Sequence, residues 1–305
     1  MSKKVTVLLS TYNGAKFVQQ QLNTLYNQTY PNLKILVRDD GSSDSTINIL
    51  NFEQQKRRLE LLDGHENLGS AQSFFELLRH AALTDTDYVA FCDQDDVWLP
   101  DKIDQAVIAL GKFENTHPVM YCTRIEIVDE NLNHIRYGDV PKKIGFGNAL
   151  VECITTGCTI VLNRKAINLL CEELPKRVQM HDWWCYVVVS CFGEVVFDEI
   201  ITLRYRQHSA NVIGVAKNSV DNFCRRYTRF FGKDRQHPWC SEHAASILSI
   251  YSSRIPLEKM RTINQLLAAK QSIRHRLLLV FSCNIWRQKC IDNFTLRILM
   301  LINRI

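Results

Sequence analysis

The sequence has no long apolar run and no closely paired cysteines, and each absence argues against a class of protein. The longest apolar candidate, Leu277 to Trp286, is much shorter than the roughly 18 residues that a membrane-crossing helix requires. The 11 cysteines are scattered singly without a C-x-x-C pair, which argues against a zinc knuckle or a thioredoxin-type site. No apolar leader follows the N-terminal MSKKV, so we expect no secretory signal and a cytoplasmic protein with reduced cysteines.

Two common nucleotide-binding signatures are also missing. The chain contains neither G-x-x-x-x-G-K-[ST] nor G-x-G-x-x-G, so the P-loop and dinucleotide-binding folds lose their main support. No nucleic-acid reader motif is present either, and we expect no nucleic-acid partner. A composition of 46% hydrophobic and 23% charged residues is that of an ordinary globular protein, which leaves the motifs to indicate a function.

Charge is distributed unevenly along the chain. Residues Lys217–Ile305 carry 16 Lys and Arg against 5 Asp and Glu, whereas the remaining residues carry 21 against 27. An acidic body with a basic C-terminal part suggests that this part faces an anionic partner. Near its end, one helical stripe is apolar and consists of Phe294, Ile298, Leu301 and Ile305, with Arg297 and Arg304 off the stripe. This stripe either lies on an anionic membrane surface or packs against the body of the protein.

Apolar strands alternate with amphipathic helices in the first half of the chain. The segments Lys4–Ser10, Leu33–Val37 and Asp87–Cys92 are predicted as buried strands, each followed by a helical pattern. Strands that are apolar on both faces and alternate with helices indicate a mainly parallel sheet covered on two sides. The helices after these strands are expected to start near three local signals, namely Asp44 or Ser45 as an N-cap, Ser70 as an N-cap, and Pro100 in a first turn.

Polar clusters follow each of the three predicted strands. They are Ser10, Tyr12 and Asn13, then Asp39 and Asp40, then Asp93, Asp95 and Asp96. Ligands of such sheets bind beyond the carboxyl ends of the strands, so these clusters predict one binding site. Hydroxyl and backbone groups near Ser10 and Tyr12 can hold a base or ribose, and Asp40 can accept from a base N–H.

The acidic cluster Asp93-Gln94-Asp95-Asp96 places three carboxylates within four positions. Such carboxylates repel one another unless a cation is present. Hard oxygen ligands suit Mg²⁺ or Mn²⁺, which carboxylates commonly share with the phosphates of a substrate. The cluster therefore predicts a metal–diphosphate site, and the alternative is a solvated acidic turn that caps the following helix.

Seven short motifs occur in an order that is typical of one enzyme family. They are VLLSTYNG, VRDDGSSDST, ENLG, FCDQDDVWLPDKI, TTGCTIVLNR, HDWW and YRQHSANVIG. Over about residues 4–214 the chain resembles the inverting family 2 glycosyltransferases of bacterial surface-polysaccharide synthesis. The resemblance implies a GT-A fold, an α/β architecture with a Rossmann-like, mainly parallel sheet flanked by helices. It implies a catalytic domain over residues 1–215 and a basic, mainly helical extension over residues 216–305.

The resemblance also assigns roles to individual residues. It implies a catalytic base at Asp182, although this chain has His181 in place of the acidic residue that usually precedes the base. It implies metal ligands at Asp95 and His208 and a nucleotide-sugar site formed by Ser10, Tyr12, Asn13, Asp40, Asn67 and Asp93. Either Trp183 or Trp184 is expected to lie near the acceptor, with a core position as the alternative for both.

The implied function is transfer of a sugar by an inverting enzyme that uses Mn²⁺ or Mg²⁺. The DQDDVW and HDWW motifs most resemble rhamnosyltransferases, which indicates dTDP-rhamnose as donor, with a hexose from a UDP-sugar as the alternative. The acceptor is expected to be a saccharide or a lipid-linked saccharide of O-antigen, lipopolysaccharide or capsule, which would place the protein at the inner face of the cytoplasmic membrane. Two other functions stay open, a sugar-nucleotide-binding scaffold without activity and a nucleotidyltransferase, for which no basic activation loop is evident near the N-terminus.

Overall fold

A nine-stranded sheet runs through the part of the chain that the computed structural model describes, namely residues 2–64, 66–113, 116–175, 178–208 and 239–305. The strands are β1 (Val5–Thr11), β2 (Leu33–Asp39), β3 (Glu60–Leu61), β4 (Tyr88–Cys92), β5 (Val97–Trp98), β6 (Val119–Val128), β7 (His134–Tyr137), β8 (Val161–Asn163) and β9 (Glu194–Arg206). Their order is β3-β2-β1-β4-β8-β6-β9-β5, and β7 pairs with β6 at the side.

Helices cover the sheet and continue beyond it. They are α1 (Val18–Tyr26), α2 (Thr46–Gln55), α3 (Ser70–Ala82), α4 (Lys102–Gly111), α5 (Phe146–Ala149), α6 (Arg164–Glu172), α7 (His181–Phe192), α8 (Trp239–Tyr251), α9 (Leu257–Ala269), α10 (Ile273–Val280) and α11 (Cys290–Leu301). This arrangement confirms the predicted α/β fold with C-terminal helices. No helix in the described ranges is long and apolar enough to cross a membrane.

The central strands are parallel, as their apolar composition predicts. β1 is buried from Val5 to Leu9 and pairs in parallel with both β2 and β4. Further along the sheet the pairing is mixed, because β8 is antiparallel to β4 and β6 while β9 is parallel to β6. β8 has three residues, too few to show a periodicity that would predict its direction.

Two of the three predicted helix starts differ in detail from the structure, whereas Ser45 is the N-cap of α2 as predicted. Ser70 is the first residue of α3 rather than its N-cap, because Gly69 precedes it with a φ of 80°. Pro100 lies before α4, where its carbonyl accepts a hydrogen bond from the amide of Thr29 at 2.9 Å. At α2 the Asp44 carboxylate accepts from the amide of Thr46 at 3.0 Å and so satisfies one free donor of the first turn.

The C-terminal helices share the core of the sheet domain. Ile247, Ile263 and Leu296 are fully buried in the same cluster as Phe74 of α3. The hydroxyl of Tyr251 donates to the carbonyl of Leu169 at 2.9 Å, which joins α8 to α6. The predicted boundary at residue 215, and the first part of the predicted helical extension up to residue 238, lie outside the described residues.

The residues of the apolar stripe predicted near the end of the chain differ in burial. Phe294, Ile298 and Leu301 of α11 are exposed, whereas Ile305 is buried and its carbonyl accepts from the hydroxyl of Ser241 at 3.0 Å. Arg297, which was predicted to lie off this stripe, is partly buried. It donates to the carbonyls of Leu279 and Ile285, at 3.1 and 2.9 Å.

Candidate functional site

The carboxyl ends of β1, β2 and β4 meet at one edge of the sheet. Ser10 lies beside Arg38, and Thr11 lies beside Asp39, because β1 and β2 run in parallel register. On the other side of β1, Leu9 pairs with Cys92, so that Asp93 emerges next to the end of β1. The three polar clusters predicted from separate parts of the sequence therefore border one region.

Asp40 is buried and holds the loop before α3. Its carboxylate pairs with the guanidinium of Arg38 and accepts from the amides of Leu68 and Gly69, both at 2.9 Å. Arg38 also donates to the carbonyl of Glu66 at 2.8 Å, so the buried ion pair fixes both ends of this loop. Sequence reasoning missed Arg38, although an arginine at the end of an apolar strand beside two acids could have indicated it.

The segment after β1 carries the predicted nucleotide-binding residues Ser10, Tyr12 and Asn13. The hydroxyl of Ser10 is 2.7 Å from that of Ser73 in α3. Tyr12 is half exposed, with 50% of its surface accessible. The side-chain oxygen of Asn13 accepts from the amide of Ser43 at 2.8 Å, which joins this segment to the turn after Asp40. Of these three residues, Tyr12 offers the largest accessible surface for a base or a ribose.

Gln94 ties the acidic cluster to the end of β1, a role that sequence reasoning did not find. Its side-chain amide accepts from the backbone amide of Tyr12 at 2.9 Å and donates to the carbonyl of the same residue at 3.0 Å. This contact requires Gly14, because a Cβ there would lie 2.0 Å from Oε1 of Gln94. The glycine of TYNG and the middle residue of the D-x-D motif are therefore in direct contact.

Asp93 interacts electrostatically with two other carboxyl groups. Burial and, to a smaller extent, the negative charges of Asp95 and Asp182 together raise the pKa of Asp93 to about 7. The structure thus brings together Asp182 and the D-x-D motif, which are far apart in sequence. A cluster of like charges in a partly buried site is suited to a divalent cation.

Asp95 and His208 are in direct contact. Nε2 of His208 is 2.7 Å from Oδ2 of Asp95, and both side chains are mostly buried. Arg206 holds this pair in place, since its Nε donates to the carbonyl of Asp95 at 2.8 Å. The two residues predicted as metal ligands therefore lie side by side in the structure, although 113 residues separate them in the sequence.

Asp96, the third acid of the cluster, is buried in the interior. It is 1% exposed, and its Oδ1 accepts from the amide of Arg206 at 3.2 Å. Ligand atoms of Asp96, Asp93 and Cys158 lie within 4.8 Å of one another, which makes them a second candidate metal cluster. Burial raises the pKa of Cys158 well above its ordinary value, however, so its thiol stays protonated and is a poor ligand for Mg²⁺ or Mn²⁺. The residues thus fit a hard divalent ion best at Asp95 and His208, with Asp93 beside them.

Asp182 lies in the first turn of α7, at its N-terminus. Its carboxylate accepts from the amide of Trp183 at 2.7 Å. Burial raises the pKa of Asp182 and outweighs the smaller, lowering effect of the backbone amides of Trp183 and Gly157. The resulting pKa is about 6. A carboxyl group with a pKa near 6 is deprotonated at neutral pH and is a stronger base than an ordinary aspartate.

The residues on either side of Asp182 have structural contacts. His181, the departure from the family pattern, is buried between Phe74 and Phe91, with ring centroids 4.0 and 4.8 Å away. Trp184 is fully buried, whereas Trp183 is partly exposed and donates from its indole nitrogen to the carbonyl of Ala149 at 2.7 Å. Of the two tryptophans predicted near the acceptor, only Trp183 has surface that a ligand could reach.

Asn67 lies in the loop that Asp40 and Arg38 fix. Its side chain is exposed, and the neighbouring residues Glu66 and Leu68 make the backbone contacts described above. The predicted donor-site role of Asn67 stays a prediction, as do those of Ser10, Tyr12, Asn13, Asp40 and Asp93.

Comparison with known proteins identifies the family. The model of the glycosyl transferase family 2 matches residues 6–168. The dTDP-rhamnosyl transferase RfbG of Shigella flexneri is 26% identical over 222 residues, which cover 68% of this chain and 73% of that protein. The UDP-Glc:alpha-D-GlcNAc-diphosphoundecaprenol beta-1,3-glucosyltransferase WfgD of Escherichia coli is 29% identical over 165 residues, or 54% of this chain and 62% of that one.

A solved structure supports the fold independently. The Staphylococcus aureus protein TarS, residues 1–349 in complex with UDP-GlcNAc, superposes with a TM-score of 0.56 at 16% identity and covers 91% of this chain and 84% of that one. At this identity the likeness concerns the fold alone. The family match spans more than half of the chain and includes the ends of β1, β2 and β4, so the protein is a member of the glycosyl transferase family 2.

Proposed function

We propose that this family 2 glycosyltransferase is an inverting, metal-dependent enzyme that acts in bacterial surface-polysaccharide synthesis. The observation that carries the proposal is that Asp93 lies within reach of the charges of both Asp95 and Asp182, which raise its pKa. One base opposite one diphosphate-binding cluster is the minimum that direct displacement at a sugar carbon requires.

Asp182 acts as the base in this mechanism. The acceptor hydroxyl oxygen attacks the anomeric carbon of the donor, and its proton passes to the carboxylate of Asp182. The bond between that carbon and the diphosphate oxygen breaks, and the nucleoside diphosphate leaves with the bonding electrons. Attack opposite the leaving group inverts the anomeric centre.

The donor diphosphate is held beside Asp93, Asp95 and His208. A divalent ion bound by Asp95 and His208 would stabilise the negative charge of the leaving diphosphate. Asp93 lies next to this pair and Tyr12 beyond it, so the ribose and base can extend toward the end of β1. Arg38 and Asp40 keep the loop of residues 66–69 in place along this path.

The donor that we propose is dTDP-rhamnose, with a UDP-hexose as the alternative. The similarity to RfbG, a dTDP-rhamnosyl transferase by name, supports the first, and the names of WfgD and of the TarS complex support the second. A donor screen decides between them. The protein is incubated with Mn²⁺ and a crude glycolipid acceptor, and each sugar nucleotide is tested for nucleotide release above the rate without acceptor.

A binding scaffold without activity is the second candidate function. The Asp182→Asn variant separates the two, because it keeps the shape of the side chain but accepts a proton poorly. Under the transferase proposal, nucleotide-sugar binding by calorimetry persists and turnover falls by a factor of about 100 or more. If neither the native protein nor the variant turns over any donor while both bind one, the scaffold is the better explanation.

We also propose that the C-terminal helices lie on an anionic membrane surface. The helices α10 and α11, with the C-cap residue of each, expose nine apolar side chains that are together called the apolar face, namely Ile273, Leu277, Leu278, Phe281, Ile291, Phe294, Ile298, Leu301 and Ile302. Exposed basic residues occur in both helices or beside them, among them Arg274 and Lys289. An apolar face bordered by cations has the composition of an interfacial helix pair, and lipid-linked acceptors would be reached at the same surface.

Vesicle sedimentation tests this surface. The double variant Phe281→Ser and Phe294→Ser should lose binding to phosphatidylglycerol vesicles without a change in thermal stability, because both side chains are exposed at 82% and 68%. Leu83→Ser is the matched control, since Leu83 is 88% exposed at the end of α3 and outside this face. Equal vesicle binding by the double variant and the native protein would contradict the proposal.

A further inference from the structure

A second cavity lies apart from the donor site. It has a volume of about 530 Å³ and is walled by β6, by residues Gly138–Lys142 and Glu152–Thr156, and by Gln288 and Lys289. None of the residues assigned to the nucleotide-sugar donor contributes to its wall. A cavity of this size accommodates a ligand of about one or two sugar units with a charged group.

Cations dominate the lining of this cavity. Arg124, Arg136 and Lys142 all line it, and none of them forms an ion pair with a carboxylate in the described part of the chain. Nε of Arg124 donates to the carbonyl of Gly138 at 2.8 Å, which orients the guanidinium.

Both acidic groups of the cavity already have partners. The carboxylate of Asp139 forms an ion pair with Lys289 at 2.6 Å. That of Glu152 accepts from Asn148 and from the amide of Gln288, both at 2.8 Å. The lining thus keeps an excess of positive charge, which an anionic ligand would neutralise.

The cavity adjoins the proposed catalytic base. Its wall includes Cys153, Thr155 and Thr156. The charge of Asp182 raises the pKa of Cys153, after the larger effect of burial, which places the two side chains near each other. Thr156 is followed directly by Gly157, and a Cβ built on Gly157 would lie 3.7 Å from Cβ of Asp182. A ligand in the cavity would therefore lie beside the group that takes the proton from the acceptor.

The cavity also borders the apolar face of the C-terminal helices. Lys289 lines the cavity and is the N-cap of α11. Ile291 and Phe294 follow within the first turns of this helix and are 63% and 68% exposed. A molecule that leaves the cavity past Lys289 would meet an apolar surface directly.

We propose that this cavity is the acceptor site and that it recognises a diphosphate. On this proposal, which rests on the proposed transferase function, the acceptor is a glycan carried on a lipid diphosphate. The phosphates bind Arg124, Arg136 and Lys142, the sugar extends toward Asp182, and the lipid chain follows Ile291 and Phe294. Arginine suits this role because its planar fork matches two phosphate oxygens at once. A neutral saccharide would leave the excess of four cationic side chains over two acidic ones in the lining uncompensated.

Binding of farnesyl diphosphate, compared with farnesol, tests the proposal directly. The native protein is first saturated with UDP and Mn²⁺, or with dTDP and Mn²⁺, so that the donor site is filled, and each ligand is then titrated by calorimetry. We expect the diphosphate to bind at least about tenfold more tightly than the alcohol, since each charged hydrogen bond is worth about that factor. Equal affinities would overturn the proposal.

Two variants assign the binding to this cavity. The triple variant Arg124→Ala, Arg136→Ala and Lys142→Ala should lose the preference for the diphosphate. The triple variant Arg79→Ala, Lys112→Ala and Lys165→Ala removes the same charge outside the cavity and should keep it. If the first triple variant does not fold, Lys142→Ala alone, at an exposed residue, should still weaken diphosphate binding severalfold. Unchanged binding in the cavity variants would refute the assignment.

Phosphatidylglycerol vesicles distinguish a lipid diphosphate from a membrane headgroup. If the cavity variants lose vesicle binding but keep farnesyl diphosphate binding, the cations serve headgroups and the proposal is wrong. Donor turnover is measured separately by nucleotide release. Its absence would refute the transferase proposal, whereas the calorimetric comparison decides the nature of the cavity by itself.

Discussion

Replacing Gly14 by alanine should disturb the D-x-D motif across a distance of 80 residues. An ideal Cβ at this position lies 2.0 Å from Oε1 and 2.4 Å from Cδ of Gln94. Gln94 must therefore swing away, which breaks its two hydrogen bonds to the backbone of Tyr12, at 2.9 and 3.0 Å. At about 0.5–1.5 kcal/mol for each bond, the loss should lower the free energy of unfolding by about 1–3 kcal/mol.

The same substitution should weaken the metal site, because Gln94 stands between Asp93 and Asp95. We expect the Mn²⁺ concentration for half-maximal activity to rise, and urea unfolding combined with nucleotide release measures both effects. Gly111→Ala is the control, since no atom lies within 4 Å of a Cβ there.

A double-mutant cycle tests whether the contact between Gly14 and Gln94 couples the two segments. Gln94→Ala loses the same two hydrogen bonds but also creates the space that a Cβ at Gly14 needs. The double variant Gly14→Ala and Gln94→Ala should therefore be no less stable than Gln94→Ala alone. Additive losses, or a Gly14→Ala variant as stable and active as Gly111→Ala, would show that the contact does not couple these segments.

Three further predictions concern single residues. Since Asp182 must be ionised to accept a proton and its pKa is raised to about 6, kcat should fall about tenfold per pH unit below that value and level off above it; a flat profile would exclude Asp182 as the base. Asp95→Ala should abolish activation by Mn²⁺ while Asp101→Ala retains it, and excess EDTA should inactivate the native enzyme; activity in EDTA would contradict the metal role. Burial lowers the pKa of His181 from 6.5 to about 3, so the unfolded state binds a proton first and stability is lost as pH falls below 6.5, by about 1.4 kcal/mol per unit. His181→Phe should remove this acid sensitivity in urea titrations between pH 7 and 4, and an unchanged slope would count against it.

The polar clusters after β1, β2 and β4 could be predicted from the sequence, because polar residues that directly follow an apolar strand mark its carboxyl end. β1, β2 and β4 are apolar runs followed by polar clusters, and parallel neighbours must end on the same edge of a sheet. The role of Asp182 as catalytic base was implied by the family resemblance alone and stays a prediction, since nothing in its own sequence neighbourhood indicates that it lies near Asp93.

The remaining features depend on contacts that no local pattern encodes. Arg38 and Gln94 act through residues 28 and 82 positions away, so their sequence neighbours give no hint of their partners. The different partners of Asp95 and Asp96 could not be predicted either, because the carboxylate of Asp95 contacts His208 and that of Asp96 contacts the amide of Arg206, both more than 100 residues away in sequence. Burial of Ile305 could not be foreseen from a helical stripe, since Ser241 and Lys270 of other helices hold its carbonyl.

The placement of the cysteines makes the protein suitable for site-directed labelling. Of the cysteines that the structure describes, only Cys283 and Cys290 are exposed, and they flank the segment that joins α10 to α11. Five others are fully enclosed, and burial raises the pKa of the Cys92, Cys158 and Cys185 thiols well above the range in which thiolates react. Among the cysteines of the described ranges, a maleimide dye should therefore react first at Cys283 and Cys290, beside the apolar face, where its emission would report contact with lipid in real time.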